Sequence, residues 1–161
     1  MVSTVELPDI VISIASIQHL DDAIRCWQSL VLDQQNHDNR ISAEALSDSE
    51  QRQFLRSTIL DGRLVVALDA SRVVGIATIA IDKNMLDNSL SIWNISDVWI
   101  DGDYRRRGIG IQLVNECELQ AKSKGASEIR LQVYSTNQPA SMLYGRLGYR
   151  TISRMMSKKL D

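Results

Sequence analysis

Apolar residues recur along this chain with two periods, and the switches between them mark out the elements. Ile10 to Ala15 is apolar and mostly β-branched, which predicts a first strand. Ser16 to Leu20 leads into a helix with Asp21 and Asp22 in its early turns, and Ile24, Trp27, Leu30 and Val31 form its apolar face. Gln34 to Arg40 is a polar loop. A second helix is predicted over Ala43 to Leu60, stopping at Asp61-Gly62. Leu64 to Asp69 and Val73 to Ile81 are strands, and the polar turn Ala70-Ser71-Arg72 makes them a hairpin. Asp82 to Asn88 is a turn or loop, and Leu90 to Ile100 is a long fourth strand. Helical spacing returns at Ile109, Leu113, Cys117 and Ala121, giving a helix from about Gly108 to Lys124 closed by Gly125. Glu128 to Tyr134 is a fifth strand with Ile129, Leu131 and Val133 on one side. Asn137 caps a last helix, with Pro139 in its first turn and Gly148 as a left-handed stop near Leu147. Tyr149 to about Lys158 predicts a final strand. This alternation, without repeats or linkers, is α/β with a mixed sheet.

The chain has 161 residues, 44% hydrophobic and 24% charged, which suits one domain with a sizeable core. No apolar run approaches the roughly 18–20 residues of a membrane helix. Residues 1–20 contain Glu6 and Asp9 but no Lys or Arg, unlike a secretory leader, so a cytoplasmic protein is expected. Cys26 and Cys117 fall on predicted helices and read as reduced core thiols. No His/Cys cluster suggests a metal.

The net charge is −2, which does not point to bulk nucleic-acid binding. Its distribution is uneven. Residues 1–62 hold ten Asp/Glu and four Lys/Arg (net −6), whereas residues 63–161 hold ten and fourteen (net +4). The basic part contains Arg105-Arg106-Arg107-Gly108-Ile109-Gly110, between the fourth strand and the third helix. Glycines let a ligand approach the backbone, unpaired helix-start N–H groups favour an anion, and arginines add charge-assisted contacts to phosphate. A Walker loop needs Gly-Lys-Ser/Thr, which is absent. A dinucleotide fingerprint needs a third glycine where Leu113 stands.

What remains is R-x-x-G-x-G, and the run Asp97 to Leu113 resembles the acetyl-CoA signature of the GNAT superfamily of acetyltransferases. A second stretch, Asn137 to Tyr149, is similar to that family's N-x-x-A-x-x-x-Y-x-x-x-G-F/Y pattern, with Asn137, Ala140, Tyr144, Gly148 and Tyr149 in place. The resemblance implies a mixed, mostly antiparallel central sheet of six or seven strands flanked by four helices, with the final strand short, absent or supplied by a partner in a homodimer. It implies transfer of acetyl from acetyl-CoA to a primary amine by direct attack, with no acyl-enzyme and no metal.

The same resemblance implies the site residues. The backbone of Val98, Trp99 and Ile100 would meet the pantetheine arm and the thioester, on a strand that bulges and splays from the fifth. An N–H near Val98 would stabilise the oxyanion, worth about 3–4 kcal/mol. Arg105, Arg106, Arg107, Gly108, Ile109, Gly110 and Ile111 would cradle the pyrophosphate. Glycine is the commoner residue where Arg106 stands, so this arginine is expected to point outward, toward the 3′-phosphate of CoA. Asn137 would bond the pantetheine amides, cap its helix, or both. Tyr144, with a phenol pKa near 10 in water, would protonate the departing thiolate.

The general base is the least determined part. Many family members carry glutamate where this chain has Ser96. Asp97 could act through water, although strand alternation turns it to the other face. His37 titrates in a useful range, but a lone loop histidine is ordinarily surface. An acidic N-terminal part suits a small cationic amine; a protein amine is the other acceptor class. Two rival readings are a CoA-binding sensor without turnover, suggested by the missing glutamate, and an RNA-binding module using the arginine turn, for which no aromatic platform is present.

Overall fold

The computed structural model describes residues 9–42, 46–82, 91–158 and 160. Five strands form one sheet in chain order: β1 (Ile10–Ile14), β2 (Leu64–Asp69), β3 (Arg72–Ile81), β4 (Ile92–Ile100) and β5 (Glu128–Leu131). The first four pair antiparallel and β5 joins β4 in parallel. Four helices cover the sheet: α1 (Leu20–Gln35), α2 (Asp48–Leu60), α3 (Ile109–Ser123) and α4 (Gln138–Arg146). This is the mixed, mostly antiparallel α/β arrangement the sequence predicts.

Each helix follows from local chemistry. The Ser47 hydroxyl and the Glu50 carboxylate exchange hydrogen bonds with each other's backbone N–H, a reciprocal cap that sets the start of α2. This is later than the Ala43 start expected from periodicity, although residues 43–45 lie outside the described residues. The loop over Asp82–Asn88 also falls, beyond Asp82, outside them, as does Leu90. The Asn137 side-chain oxygen Oδ1 accepts from the Ala140 N–H at 3.2 Å and starts α4.

The sheet has two apolar faces. On one, Ile109, Leu113, Val114, Cys117 and Ala121 of α3 pack on Val65, Ala67, Ala77, Ile79, Trp93 and Ile95, with Tyr144 of α4 closing the end. On the other, Leu20, Ala23, Cys26 and Leu30 of α1 and Leu55 and Ile59 of α2 pack on Val66, Val73, Ile76 and Trp99. Asp22 and Arg25 of α1 lock onto the hairpin: the Val73 N–H donates to Asp22 at 3.0 Å and the Val73 carbonyl accepts from Arg25 at 2.8 Å.

Three expectations are corrected. The sheet has five strands among the described residues, not six or seven. Residues 149–158 form no strand, although their composition suits one; a strand needs a ladder partner for its backbone groups, and no strand of the sheet pairs with this segment. The fifth strand also stops at Leu131 instead of Tyr134.

Gly75 lies where β3, β4 and α3 meet with no room for a side chain. A Cβ there would lie 3.2 Å from the Trp99 carbonyl oxygen and 3.2 Å from the Leu113 side chain. Gly75→Ala is expected to cost about 1–3 kcal/mol through overpacking. The check is a lower urea midpoint with an unchanged denaturant slope.

Candidate active site

β4 carries the centre of the site. It pairs with β5 only from Ile92↔Glu128 to Ile95↔Leu131, so its last five residues have no partner strand on that side. Toward β3 the register slips: Ser96 faces Thr78 and Trp99 faces Ile76, so Asp97 and Val98 together span the position of Ala77 alone. This is a β-bulge. Asp97 makes it by taking a left-handed backbone, φ 53°.

The bulge re-aims the side chains. Regular alternation would separate Ser96 and Asp97 onto opposite faces. Here both reach the same hydroxyl: Thr78 Oγ1 lies 2.9 Å from Ser96 Oγ and donates to Asp97 Oδ2 at 2.8 Å. Trp27 of α1, on the same side, favours the ionised carboxylate. The expected turn of Asp97 to the other face is therefore overturned: it looks toward α1 and α2. Beyond the bulge Val98 packs with the α3 face and Trp99 with the α1 face. The Asp101 N–H donates to the Val74 carbonyl at 2.9 Å, so alternation of the antiparallel ladder points the N–H groups of Val98 and Ile100 away from β3, into the gap left by β5.

Burial raises the Asp97 pKa, against the opposing hydrogen bonds from Thr78, Trp27 and Ser96. Burial likewise raises that of Tyr144, with a smaller contribution from Cys117. Tyr144 is 9% exposed, and its ring meets Tyr149 edge-on at 5.9 Å. No fully buried side-chain oxygen among the described residues lacks a partner. The Tyr144 hydroxyl, for which no partner is found among them, therefore retains contact with solvent.

The arginine turn leads into α3. Arg106 is left-handed (φ 66°) and so is Gly108 (φ 79°), the residue that starts the helix. Glycine tolerates this backbone freely and arginine does not, which gives a physical reason for glycine at the Arg106 position in similar sequences. Gly108 brings no capping side chain and the first turn of α3 holds no acid. By contrast α1 starts with Asp21 and Asp22, α2 with its Ser47–Glu50 cap and α4 with Asn137. Among the four helices, α3 alone begins with its N–H groups and positive dipole end unanswered. Gly110 lets α3 sit close to its neighbours, since a Cβ would come within 2.9 Å of Leu143 and 3.2 Å of Ile100.

The three arginines have separate surroundings. Arg105 Nη2 bonds Asp33 Oδ2 at 2.6 Å and Arg105 Nε the Ile100 carbonyl at 2.9 Å. The same Asp33 oxygen accepts from the Trp99 indole at 3.0 Å. The Arg107 guanidinium lies 5.2 Å from the centre of the Tyr104 ring. Arg106 is exposed, as are Arg105 and Arg107. His37 is not plain surface: its Nδ1 lies 2.9 Å from Thr136 Oγ1 and its ring stacks on Tyr134 at 5.7 Å. Asn137 caps α4, one of the two roles expected of it. Sequence reasoning passed over Asp33 and Thr78. Thr78 is the single hydroxyl in a strand that is apolar after Arg72, which was a readable signal; Asp33 meets Arg105 only through the tertiary fold.

A strand parted from its neighbour, a left-handed bulge and an uncapped helix after R-x-x-G-x-G are the features expected of one family. The chain matches the model of the Acetyltransferase (GNAT) family over residues 21–149. It belongs to the GNAT family. Over 86 residues it is 31% identical to a glucosamine 6-phosphate N-acetyltransferase of Trypanosoma brucei brucei, covering 53% of this chain and 56% of that one. Over 59 residues it is 34% identical to a thialysine N-epsilon-acetyltransferase of Sus scrofa, covering 37% and 35%. The matched segment thus spans about a third to just over half of these relatives. Solved structures match over nearly the whole chain. A Bacillus halodurans protein, crystallised as a point mutant, gives a TM-score of 0.78 at 19% identity, covering 93% of this chain and 99% of that one. A predicted acetyltransferase from Clostridium acetobutylicum, solved with acetyl-CoA, gives 0.73 at 14%, covering 93% and 96%. These likenesses show the fold. In this GNAT chain no group of three or more His, Cys, Asp or Glu is gathered as a metal site among the described residues, and no helix there is long and apolar enough to cross a membrane.

The raised Asp97 pKa has a sign that stability measurements can read. A carboxyl whose folded pKa exceeds its unfolded value stabilises the fold while protonated, and that contribution is lost as pH rises through the folded pKa. Asp97→Asn is therefore expected to gain melting temperature over the parent at pH 7. The gain should shrink as pH falls through the raised folded pKa and be gone by the ordinary aspartate value near about 4. Thermal scans of both proteins from pH 7 to pH 3.5 check it.

Proposed function

We propose that this protein transfers the acetyl group of acetyl-CoA to a primary amine by direct attack. The observation that carries the reading is the gap beside Val98 and Ile100 lying next to the uncapped start of α3. One offers backbone donors to a thioester arm, the other an anion site for the pyrophosphate.

The residues would divide the work as follows. Backbone N–H groups from Arg106 to Ile111 hold the pyrophosphate, and Arg106 and Arg107 add charge, Arg106 toward the 3′-phosphate. Arg105 acts mainly from its ion pair with Asp33, fixing the turn against α1. Val98, Trp99 and Ile100 supply the strand edge along which the pantetheine arm lies, and Asn137 bonds its amides while capping α4. The amine nitrogen attacks the thioester carbon, and the Val98 N–H stabilises the oxyanion. The amine proton leaves through water to Asp97, whose raised pKa makes it a better base than an ordinary carboxylate. As the carbon–sulfur bond breaks, Tyr144 gives its proton to the thiolate; burial keeps the phenol protonated at neutral pH.

For the acceptor, Asp97 and the acidic α1–α2 part favour a small cationic amine over a protein amine. The likeness to acetyltransferases of an amino-sugar phosphate and of thialysine supports a small molecule without choosing among them. A single-domain protein working in the cytoplasm completes the reading.

Titration calorimetry with acetyl-CoA, followed by a thiol-release assay on an amine panel, tests this. Binding with turnover is expected; binding without turnover on any amine favours a CoA sensor. Tyr144→Phe should lower kcat by about 100-fold or more while acetyl-CoA affinity changes little. An unchanged kcat removes Tyr144 as the acid. Arg106→Gly should have opposed effects: relief of the left-handed backbone raises stability by up to about 1 kcal/mol, whereas acetyl-CoA binding weakens. Melting curves and calorimetry of the one variant read both.

A further inference from the structure

Asp97 and Val98 are neighbours in sequence, yet the bulge sends them to different tasks. The Asp97 carboxylate turns to the α1–α2 side, and the Val98 N–H to the gap beside β5. Both directions depend on Asp97 keeping φ at 53°, a conformation that L residues other than asparagine and aspartate rarely hold. Something must select it. The groups around Asp97 come from three elements: Thr78 of β3 donates to its carboxylate, Ser96 of β4 lies 2.9 Å from that same Thr78 hydroxyl, and Trp27 of α1 favours the ionised carboxylate. All three are neutral, and no charged side chain among the described residues contributes to the state of this carboxyl. Thr78 is central, because its one hydroxyl touches both Ser96 and Asp97 and is itself buried, 4% exposed.

We propose that Thr78, backed by Ser96 and Trp27, is a positioning residue that sets the proton acceptor and the oxyanion donor of the transfer together, by holding the Asp97 bulge. The assignment rests on the transferase reading above. A threonine hydroxyl 2.8 Å from Oδ2 anchors the carboxylate from the β3 side, across the strand boundary. With that anchor the Asp97 peptide has one orientation, and the following N–H is fixed toward the thioester carbonyl. Without it the carboxylate swings toward solvent and strand alternation is free to re-form. Both groups then miss their targets, although neither has been mutated.

In the step itself the amine nitrogen forms a bond to the acetyl carbon and the carbon–sulfur bond breaks. The amine proton passes through water to Asp97, and the thiolate takes its proton from Tyr144. Thr78 exchanges no proton with substrate. Its effect is therefore on kcat and on the pH at which Asp97 titrates, not on the grip of the pyrophosphate some distance along the strand.

The experiment compares Thr78→Val and Thr78→Ser with the parent under saturating acetyl-CoA and the best amine of the panel. Thr78→Val is expected to lose about 100-fold in kcat with acetyl-CoA affinity changed less than about threefold. The acidic limb of its kcat/KM profile should move to higher pH, because a donor to the carboxylate has been removed. Thr78→Ser, which keeps the hydroxyl, should restore both. Parental kcat and profile in Thr78→Val would overturn the proposal while leaving the transferase intact. Acetyl-CoA binding by the parent with no turnover of any amine would instead overturn the transferase reading, and this proposal with it. Should Thr78→Val not fold, Ser96→Ala and Trp27→Phe each remove another support. Several-fold losses of kcat with a displaced Val98 amide resonance are then expected, and an unmoved resonance with parental kcat in both rejects the assignment.

Discussion

Two neighbouring strands held at about 4.8 Å have no room between them for a ligand. The structure depends on how this sheet escapes that limit at one end only. β4 stays hydrogen-bonded to β3 along its length but leaves β5 after Ile95. An open edge inside a protein is costly unless its backbone groups find partners. Here the Ile100 carbonyl finds the Arg105 guanidinium, and the rest of the edge faces the gap. The bulge at Asp97 sharpens the local twist that parts the strands, and Gly75 and Gly110 let β4 and α3 close tightly around the same point.

The electrostatics follow from that geometry. α3 begins where the parted strand ends, and its start has neither a capping side chain nor an acid. Isolated, such a helix end would be a small loss of stability. Placed at the mouth of the gap, it leaves a positive dipole end facing the open strand edge. The Asp33 carboxylate keeps Arg105 from crowding that position, drawing it back against α1 alongside the Trp99 indole.

Much of this was legible in the sequence. The element order, the α3 face of Ile109, Leu113, Cys117 and Ala121, and the Asn137 cap all follow from periodicity and turn chemistry, which are local. The start of α2 was misplaced because apolar spacing was weighed above Ser47 and Glu50, which form the reciprocal cap. The final strand was misread because Tyr149 to Lys158 has a strand's composition, while pairing is a non-local property. At the site, the arginine turn and Tyr144 were visible as motif positions. The orientation of Asp97 was not, because a period-two rule fails at a bulge, and the resemblance implies a bulge in this strand without fixing it at Asp97. The odd residue was Thr78, a hydroxyl inside an apolar strand, whose meaning depends on what lies across the ladder.

The two cysteines have a consequence at the bench. Cys26 and Cys117 are the only thiols of the chain, both are buried, and burial pushes them up to about 11 and about 12. Thiolates are the reactive form, so the folded protein is nearly silent to thiol reagents at neutral pH. Dyes that turn colour on free sulfhydryls will therefore read little of the folded protein's own thiols. Unfolding uncovers two reporters at once, so the same dye, with no ligand added, counts the molecules that have opened.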